Sequence, residues 1–447
     1  MTTAYLLERA WVDGIVRDDV VVEIEDGRFT SVTLSDRFPR LGGETVTLPG
    51  LTVPGFANTH SHAFHRALRG RTQRERGTFW TWRDQMYDVA ERLDPDSYLM
   101  LATAVFRELV AAGMTSVGEF HYLHHQPDGT PYDDPHAMSH ALVEAARTAG
   151  IRLTLLDTCY LSGGFGRLPE GVQRRFSDGD ADRWRERVEA MPAEGTDGVV
   201  HGAAVHSVRA VPAEAMPTVA GWAAEGGGRP LHVHVSEQVA ENADCVAAYA
   251  RTPVELLADH DVLGPRTTAV HATHLTDDDV RLLAATGTHA GFCPTTERDL
   301  GDGIGPGRRL HEAGVPLTLG SDSHAVVDPF EEMRALELDE RLATRERGHW
   351  TAAELLAAGT WVGHRSLGWD DAGEIAVGQR ADLVTLDTTS PRTAGTGADE
   401  HTAVFAATAA DVTHVVVDGR VVVREGDRDQ VGRMLDEAIG RLFGEAR

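Results

Sequence analysis

The chain has 447 residues, 42% apolar and 25% charged, a globular composition long enough for one large barrel plus a smaller unit. Its net charge of −27 argues against nucleic acid or an anionic membrane as a partner. Every basic residue is Arg. The missing Lys excludes a Schiff-base lysine, a phosphate-loop lysine and a carboxylated lysine bridging two metals.

Residues 1–52 read as short alternating strands separated by turn residues, most clearly in VVVEIEDGRFTSVTL. The opening MTTAYLLERAWVDG has no basic stretch followed by an apolar one, so no secretory leader is expected. Beyond residue 52 the texture changes to short apolar runs alternating with longer amphipathic stretches. Strands are predicted at 53–58, 114–119, 151–156, 199–206, 230–235, 267–271, 288–292 and 315–320. Helical stretches such as 97–113 and 135–150, each closed by Gly, lie between them. Eight βα units over 53–371 predict an α/β fold, a (β/α)8 TIM-like barrel.

The strand texture returns in EIAVGQRADLVTLD (374–387) and THVVVDGRVVVREGD (413–427). Residues 1–52 and 372–427 are therefore expected to build one small composite β-sandwich domain, with 428–447 as a closing helix. No apolar run approaches the roughly 18 residues of a membrane span. The cysteines Cys159, Cys245 and Cys293 are widely separated, with no CxxC spacing. A cytoplasmic protein with reduced thiols is the expectation.

The chemistry follows from where histidines fall. In VPGFANTHSHAFHRALRG, His60 and His62 are two apart at the end of the first predicted strand and point to the same side. The fifth strand, PLHVHVSEQ, carries His234 three residues before Glu237; the sixth ends at His271 and the eighth, LTLGSDSH, at Asp322. Taken singly, each reads as a core histidine bonded to a carbonyl or as a helix-capping Asp. Together they fall at strand ends on the catalytic face of such a barrel. Three His and an Asp there make a metal site, with Glu237 and His271 beside it.

This set resembles the amidohydrolase superfamily over essentially the whole chain. Strand 4, VVHGAAVHSVR, lacks the Lys that bridges two metals in binuclear members, so the likeness is to the mononuclear aminohydrolase branch. The segments HSHAFHRALRG, FWTWRDQMY, FHYLHH, HSVR, HVHVSEQ, HATHL, CPTTERDLGDG and SDSH are similar to those of deiminases acting on N-formimino-L-glutamate in histidine degradation. The resemblance implies one divalent metal, zinc, held by His60, His62, His234 and Asp322, with Glu237, His271 and Asp322 as catalytic groups. It also implies a homodimer and a small dianionic substrate bound by His65, Arg83, Tyr122, His206 and Arg209. His65 departs from the pattern, standing where the family carries Gln.

Read from the residues alone, the run Arg66, Arg69, Arg71, Arg74, Arg76 and Arg83 is mostly a solvated face. His206 and Arg209 directly follow strand 4 and so reach the rim, where an Arg fork matches a carboxylate. Two alternatives keep the same fold. One is a deaminase of guanine or another heteroaromatic amine, which Trp80, Trp82 and Tyr122 allow. The other is a non-catalytic scaffold, which the complete ligand set disfavours. The H-x-E and P-C-x-x-C pattern of zinc nucleobase deaminases is absent.

Overall fold

Gly55 marks the place where the chain leaves one sheet for another. The computed structural model describes residues 3–34, 45–74, 76–191, 198–424 and 427–445. Four strands precede Gly55: β1 (Thr3–Val12), β2 (Ile15–Glu25), β3 (Arg28–Leu34) and β4 (Thr45–Pro54). β1, β2 and β3 form an antiparallel meander, and β4 lies parallel against the free side of β1. Alternation along β2 buries Val20, Val22 and Ile24 in an apolar cluster with Leu7, Phe29 and Leu383.

The barrel strands are β5 (Phe56–Ser61), β6 (Met114–His121), β7 (Arg152–Cys159), β8 (Val199–Ser207), β9 (Leu231–Val235), β10 (Thr267–His271), β11 (His289–Phe292) and β12 (Leu317–Leu319). They pair in parallel, each with its sequence neighbour. β6 and β7 are buried along their whole length, as strands covered by helices on one side and the barrel interior on the other must be. The fold class is the predicted one.

The first strand departs from expectation. Val53 and Pro54 finish β4 rather than opening the barrel, and β5 begins at Phe56. A side chain at position 55 would put its Cβ 2.3 Å from Thr115 Oγ1, so only Gly lets the chain cross between the sheets here. The predicted run 53–58 was one apolar stretch and carried no signal of the change except that Gly.

Local rules account for the helices. Pro95–Ala111 starts at Asp94, whose carboxylate accepts the Ser97 N–H at 2.8 Å, a reciprocal cap. Ala137–Ala149 stops at Gly150, which has φ 77°. After the barrel come β13 (Leu383–Leu386), β14 (Val412–Val417) and β15 (Arg420–Val423). β13 pairs antiparallel with β4, giving one sheet in the order β15-β14-β13-β4-β1-β2-β3 that draws on both ends of the chain. Helix Arg428–Phe443 then ends at Gly444 with φ 67°. Residues 1–2, 35–44, 425–426 and 446–447 of these terminal segments lie outside the described residues. Among the described residues no helix is long and apolar enough to cross a membrane.

What positions the site is the closure of the barrel. The end of β12 meets the end of β5 through an isolated Ser61–Asp322 bridge. His60 O accepts Asp322 N–H at 2.9 Å, and Asp322 O accepts His62 N–H at 3.2 Å. A Cβ at Gly320 would stand 2.8 Å from His60 Cβ, so that glycine permits the approach.

Candidate active site

Closure brings four predicted ligands to one point. His60 Nε2 and His62 Nε2 lie 3.4 and 3.5 Å from Asp322 Oδ1. His234 Nε2 lies 3.0 Å from His60 Nε2 and 3.3 Å from His62 Nε2. Tetrahedral ligands about 2.0–2.1 Å from a zinc ion are themselves roughly 3.3 Å apart. The outer nitrogens set the tautomers. His62 Nδ1 lies 2.9 Å from Phe120 O and His234 Nδ1 lies 2.9 Å from His206 O. A carbonyl only accepts, so each Nδ1 carries the proton and each Nε2 turns a lone pair inward. Burial keeps the rings neutral, pushing His62 down to about 3 and holding His60 and His234 well below their ordinary value. The converging lone pairs of His62 and His234, with the His60 ring and a carboxylate beside them, fit a divalent cation.

Around this point the backbone is bent into the left-handed region at residues other than glycine. Ser236 has φ 54°, His271 69°, Ala272 48°, Asp322 38° and His324 56°. Such conformations cost on the order of 1–3 kcal/mol each and persist only where their surroundings hold them. Here buried hydrogen bonds do so. Glu241 Oε1 accepts Ser236 N–H at 2.9 Å, and Ser236 O accepts His274 N–H at 3.0 Å.

The two remaining catalytic candidates face the same space. His271 Nε2 is 3.8 Å from Glu237 Oε1 and 4.0 Å from Asp322 Oδ2. On its other edge, Nδ1 lies 3.5 Å from Glu297 Oε1, a charge contact rather than a formed hydrogen bond. Burial opposes a charge on His271, but Glu237, Glu297 and Asp322 outweigh it and raise the ring to about 10. Burial raises Glu237 to about 6, with His271 pulling the other way.

A pocket opens above the cluster, lined by His65, Arg83, Tyr122, His206 and Arg209 together with Glu237. His65 Nε2 is 3.0 Å from the Tyr122 hydroxyl, so two predicted substrate contacts are bonded to each other. The His206 ring packs edge-on against Tyr122 and Tyr160. Arg209 donates from Nε to Glu241 Oε2 at 2.5 Å. Arg83 stacks over the Trp80 ring at 4.5 Å and the Tyr87 ring at 5.6 Å. Among the described residues no carboxylate pairs with it. Three others of its run are ion-paired: Arg66 and Arg69 share Glu108 at 2.7 Å each, and Arg71 meets Glu445 at 2.7 Å, while Arg74 and Arg76 are exposed.

Three buried carboxylates around the site were not singled out from the sequence. Glu119 accepts from Ser61 Oγ at 2.6 Å and from Ala63 N–H at 2.7 Å, fixing the segment between and beyond the two histidines. Burial lifts it to about 8 against those hydrogen bonds. Glu297 backs His271, and Glu241 backs Arg209. Their only sequence signal is an acid at a strand end or in the first turn of a helix.

With this geometry in place, comparison with known proteins defines the class. The model of the amidohydrolase family matches residues 51–422, and the chain belongs to that family. It is similar to the formimidoylglutamate deiminase of Pseudomonas aeruginosa, 38% identical over 415 residues that cover 89% of this chain and 90% of that protein. It is also similar, at 29% identity and 93% and 91% coverage, to the 5'-deoxyadenosine deaminase of Methanothermobacter thermautotrophicus. Among solved structures, an amidohydrolase from Brucella melitensis superimposes with a TM-score of 0.90 at 33% identity, covering 99% of this chain and all of the other. An adenosine deaminase from Xanthomonas campestris with bound zinc has a TM-score of 0.83 over 99% of this chain and 98% of its own; at 22% identity it supports the fold alone.

Proposed function

We propose that this protein hydrolyses the formimino group of N-formimino-L-glutamate to N-formyl-L-glutamate and ammonia, the deimination step of histidine degradation. The observation that carries this reading is the pairing of two arginines with the histidine cluster. Arg83 lies on the pocket wall, stacked on Trp80 and meeting no carboxylate among the described residues, and Arg209 uses only Nε in its contact with Glu241. In a chain of charge −27, two guanidinium groups with open N–H donors beside a histidine cluster suit a dianionic substrate. The similarity to a formimidoylglutamate deiminase supports the same substrate.

In this reading His60, His62, His234 and Asp322 hold one divalent ion, zinc. When bound there, it supplies the Lewis acidity that lowers the pKa of a water from 15.7 toward about 7. Asp322 turns Oδ1 to the histidines and Oδ2 toward His271, so Oδ2 is free to take the proton of the attacking water. His271, held by Glu297 and Glu237, donates a hydrogen bond to the oxygen at the tetrahedral carbon. Glu237 passes a proton to the amidine nitrogen, which must be protonated before the C–N bond breaks and ammonia leaves. One water is consumed, and the carbon remains on the glutamate as a formyl group.

The test is ammonia release from a panel of N-formimino-L-glutamate, N-formiminoglycine, guanine and 5'-deoxyadenosine. Turnover is expected with formiminoglutamate. Release from guanine or 5'-deoxyadenosine alone would overturn the reading. It would favour a heteroaromatic amine, for which Trp82, Tyr87, Tyr122, Tyr160 and Phe176 in the pocket wall supply stacking faces.

A further inference from the structure

We propose that Glu241 is a positioning residue that aims Arg209 at a substrate carboxylate. The inference rests on the substrate reading above and adds a residue to it. Glu241 lies in the first turn of the helix Val239–Tyr249 and is 3% exposed. Both oxygens of its carboxylate are used, and for different purposes. Oε1 takes the N–H of Ser236, the left-handed residue just before Glu237, at 2.9 Å. Oε2 takes Arg209 Nε–H at 2.5 Å.

Two consequences follow from that division. The Ser236 contact ties the carboxylate to a bent turn, so Glu241 is itself immobile and can hold Arg209 in one orientation. Occupying Nε removes the side-on face of the guanidinium and leaves the terminal Nη1 and Nη2 pair, which has no protein partner among the described residues. Arg209 lies in the pocket wall with Glu237 and His206. A substrate carboxylate can then be gripped end-on by two parallel N–H groups. A long Arg side chain otherwise gives up rotamer freedom when it binds. Glu241 holds Arg209 in place beforehand and lowers that cost for the substrate.

Replacing Glu241 by Gln separates the two roles. The amide oxygen can still accept Ser236 N–H, but its NH2 then faces Arg209 Nε–H, donor against donor. The expected result is a KM for N-formimino-L-glutamate raised roughly 10- to 100-fold, the loss of one hydrogen bond to a charged group, with kcat and bound metal nearly unchanged. In an Arg209→Ala background the same Glu241→Gln change should cost nothing further, because the residue being aimed is gone. Additive losses in that double-mutant cycle would overturn the inference, as would a fall in kcat at constant KM.

Should Glu241→Gln fail to fold, Arg209→Lys supplies the second arm. A lysine cannot keep Glu241 and also present a two-pronged donor, so its KM should match that of Arg209→Ala. A KM near wild type would refute the aiming role. The wild-type enzyme distinguishes the two levels of the argument. If it neither turns over formiminoglutamate nor binds N-formyl-L-glutamate, the function and the inference fall together. If it does both and the cycle is additive, only the inference falls.

Discussion

Arg83 offers the sharpest test of substrate recognition, because its charge meets no carboxylate among the described residues. Its guanidinium is stacked on Trp80 and Tyr87 and joins none of the ion pairs that tie down Arg66, Arg69 and Arg71. Arg83→Met keeps an apolar side chain of similar reach and removes only the charge and the donors. The fold loses two cation–π contacts of about 0.5–1 kcal/mol each, so stability should fall by no more than roughly 1–2 kcal/mol. Losing a charge-assisted pair with a substrate carboxylate costs on the order of 2–5 kcal/mol. Arg83 is only partly buried, which points to the lower end, about 2–3 kcal/mol, or roughly 30- to 150-fold in kcat/KM. Ammonia release measured with formiminoglutamate and with formiminoglycine, alongside thermal unfolding, separates binding from structure. If Arg83 and Arg209 take different carboxylates, one of the two variants discriminates the substrates and the other does not. Equal losses on both substrates for Arg83→Met and Arg209→Ala, accompanied by a large drop in stability, would mean that the arginines hold the rim in shape.

Other outcomes follow from the same geometry. One equivalent of divalent metal should be retained per chain, and His234→Ala should lose it; two tightly held ions with activity tracking the second would refute the single site. Glu237→Gln should keep its metal and lose roughly 10²- to 10⁴-fold in turnover, whereas loss of metal would make Glu237 a ligand. Asp157 is bound by Arg187 at 2.8 and 2.9 Å; burial opposes its charge, but Arg187 prevails and lowers it to about 2. A carboxylate depressed in the folded state stabilises above its unfolded value near 3.9 and loses that contribution as pH falls toward 2. Asp157→Asn should therefore cost on the order of 2–3 kcal/mol at pH 7, with the gap to wild type closing between pH 4 and 2 in urea unfolding; a gap that stays constant with pH would contradict the ion-pair account.

The fold and the heart of the site were legible because both depend on short-range periodicity. A two-residue spacing puts His60 and His62 on one side of a strand, and a barrel of parallel strands brings every strand's C-terminal end to a single face. His234, His271 and Asp322 then needed no long-range information to be grouped with them. His232 shows the limit of that logic. It shares the face of His234 and is equally prominent in the sequence, yet it sits deeper in the barrel, 3.4 Å from the Ser366 carbonyl. The boundary at Gly55 failed for a related reason: one apolar run served two sheets, and only the approach of Thr115 distinguishes them.

The carboxylates that support the site were hidden because each acts on a residue far along the chain. Glu119 holds Ser61 across 58 positions, and Glu241 holds Arg209 across 32. Nothing in the immediate surroundings of either acid distinguishes it from an ordinary cap or a solvated charge. The same argument explains the arginines. Within HRALRGRTQRERGTFWTWR the basic residues look alike, and the division among them is made elsewhere: Glu108 engages Arg66 and Arg69, Glu445 engages Arg71, and among the described residues no acid pairs with Arg83. A cation becomes available to a ligand when its terminal N–H groups stay open, either because no carboxylate among the described residues meets it, as with Arg83, or because the acid takes only Nε, as Glu241 does on Arg209; that is a property of the folded neighbourhood rather than of the residue. Near a buried histidine cluster, those open N–H groups are what makes Arg83 and Arg209 the arginines to test for substrate recognition.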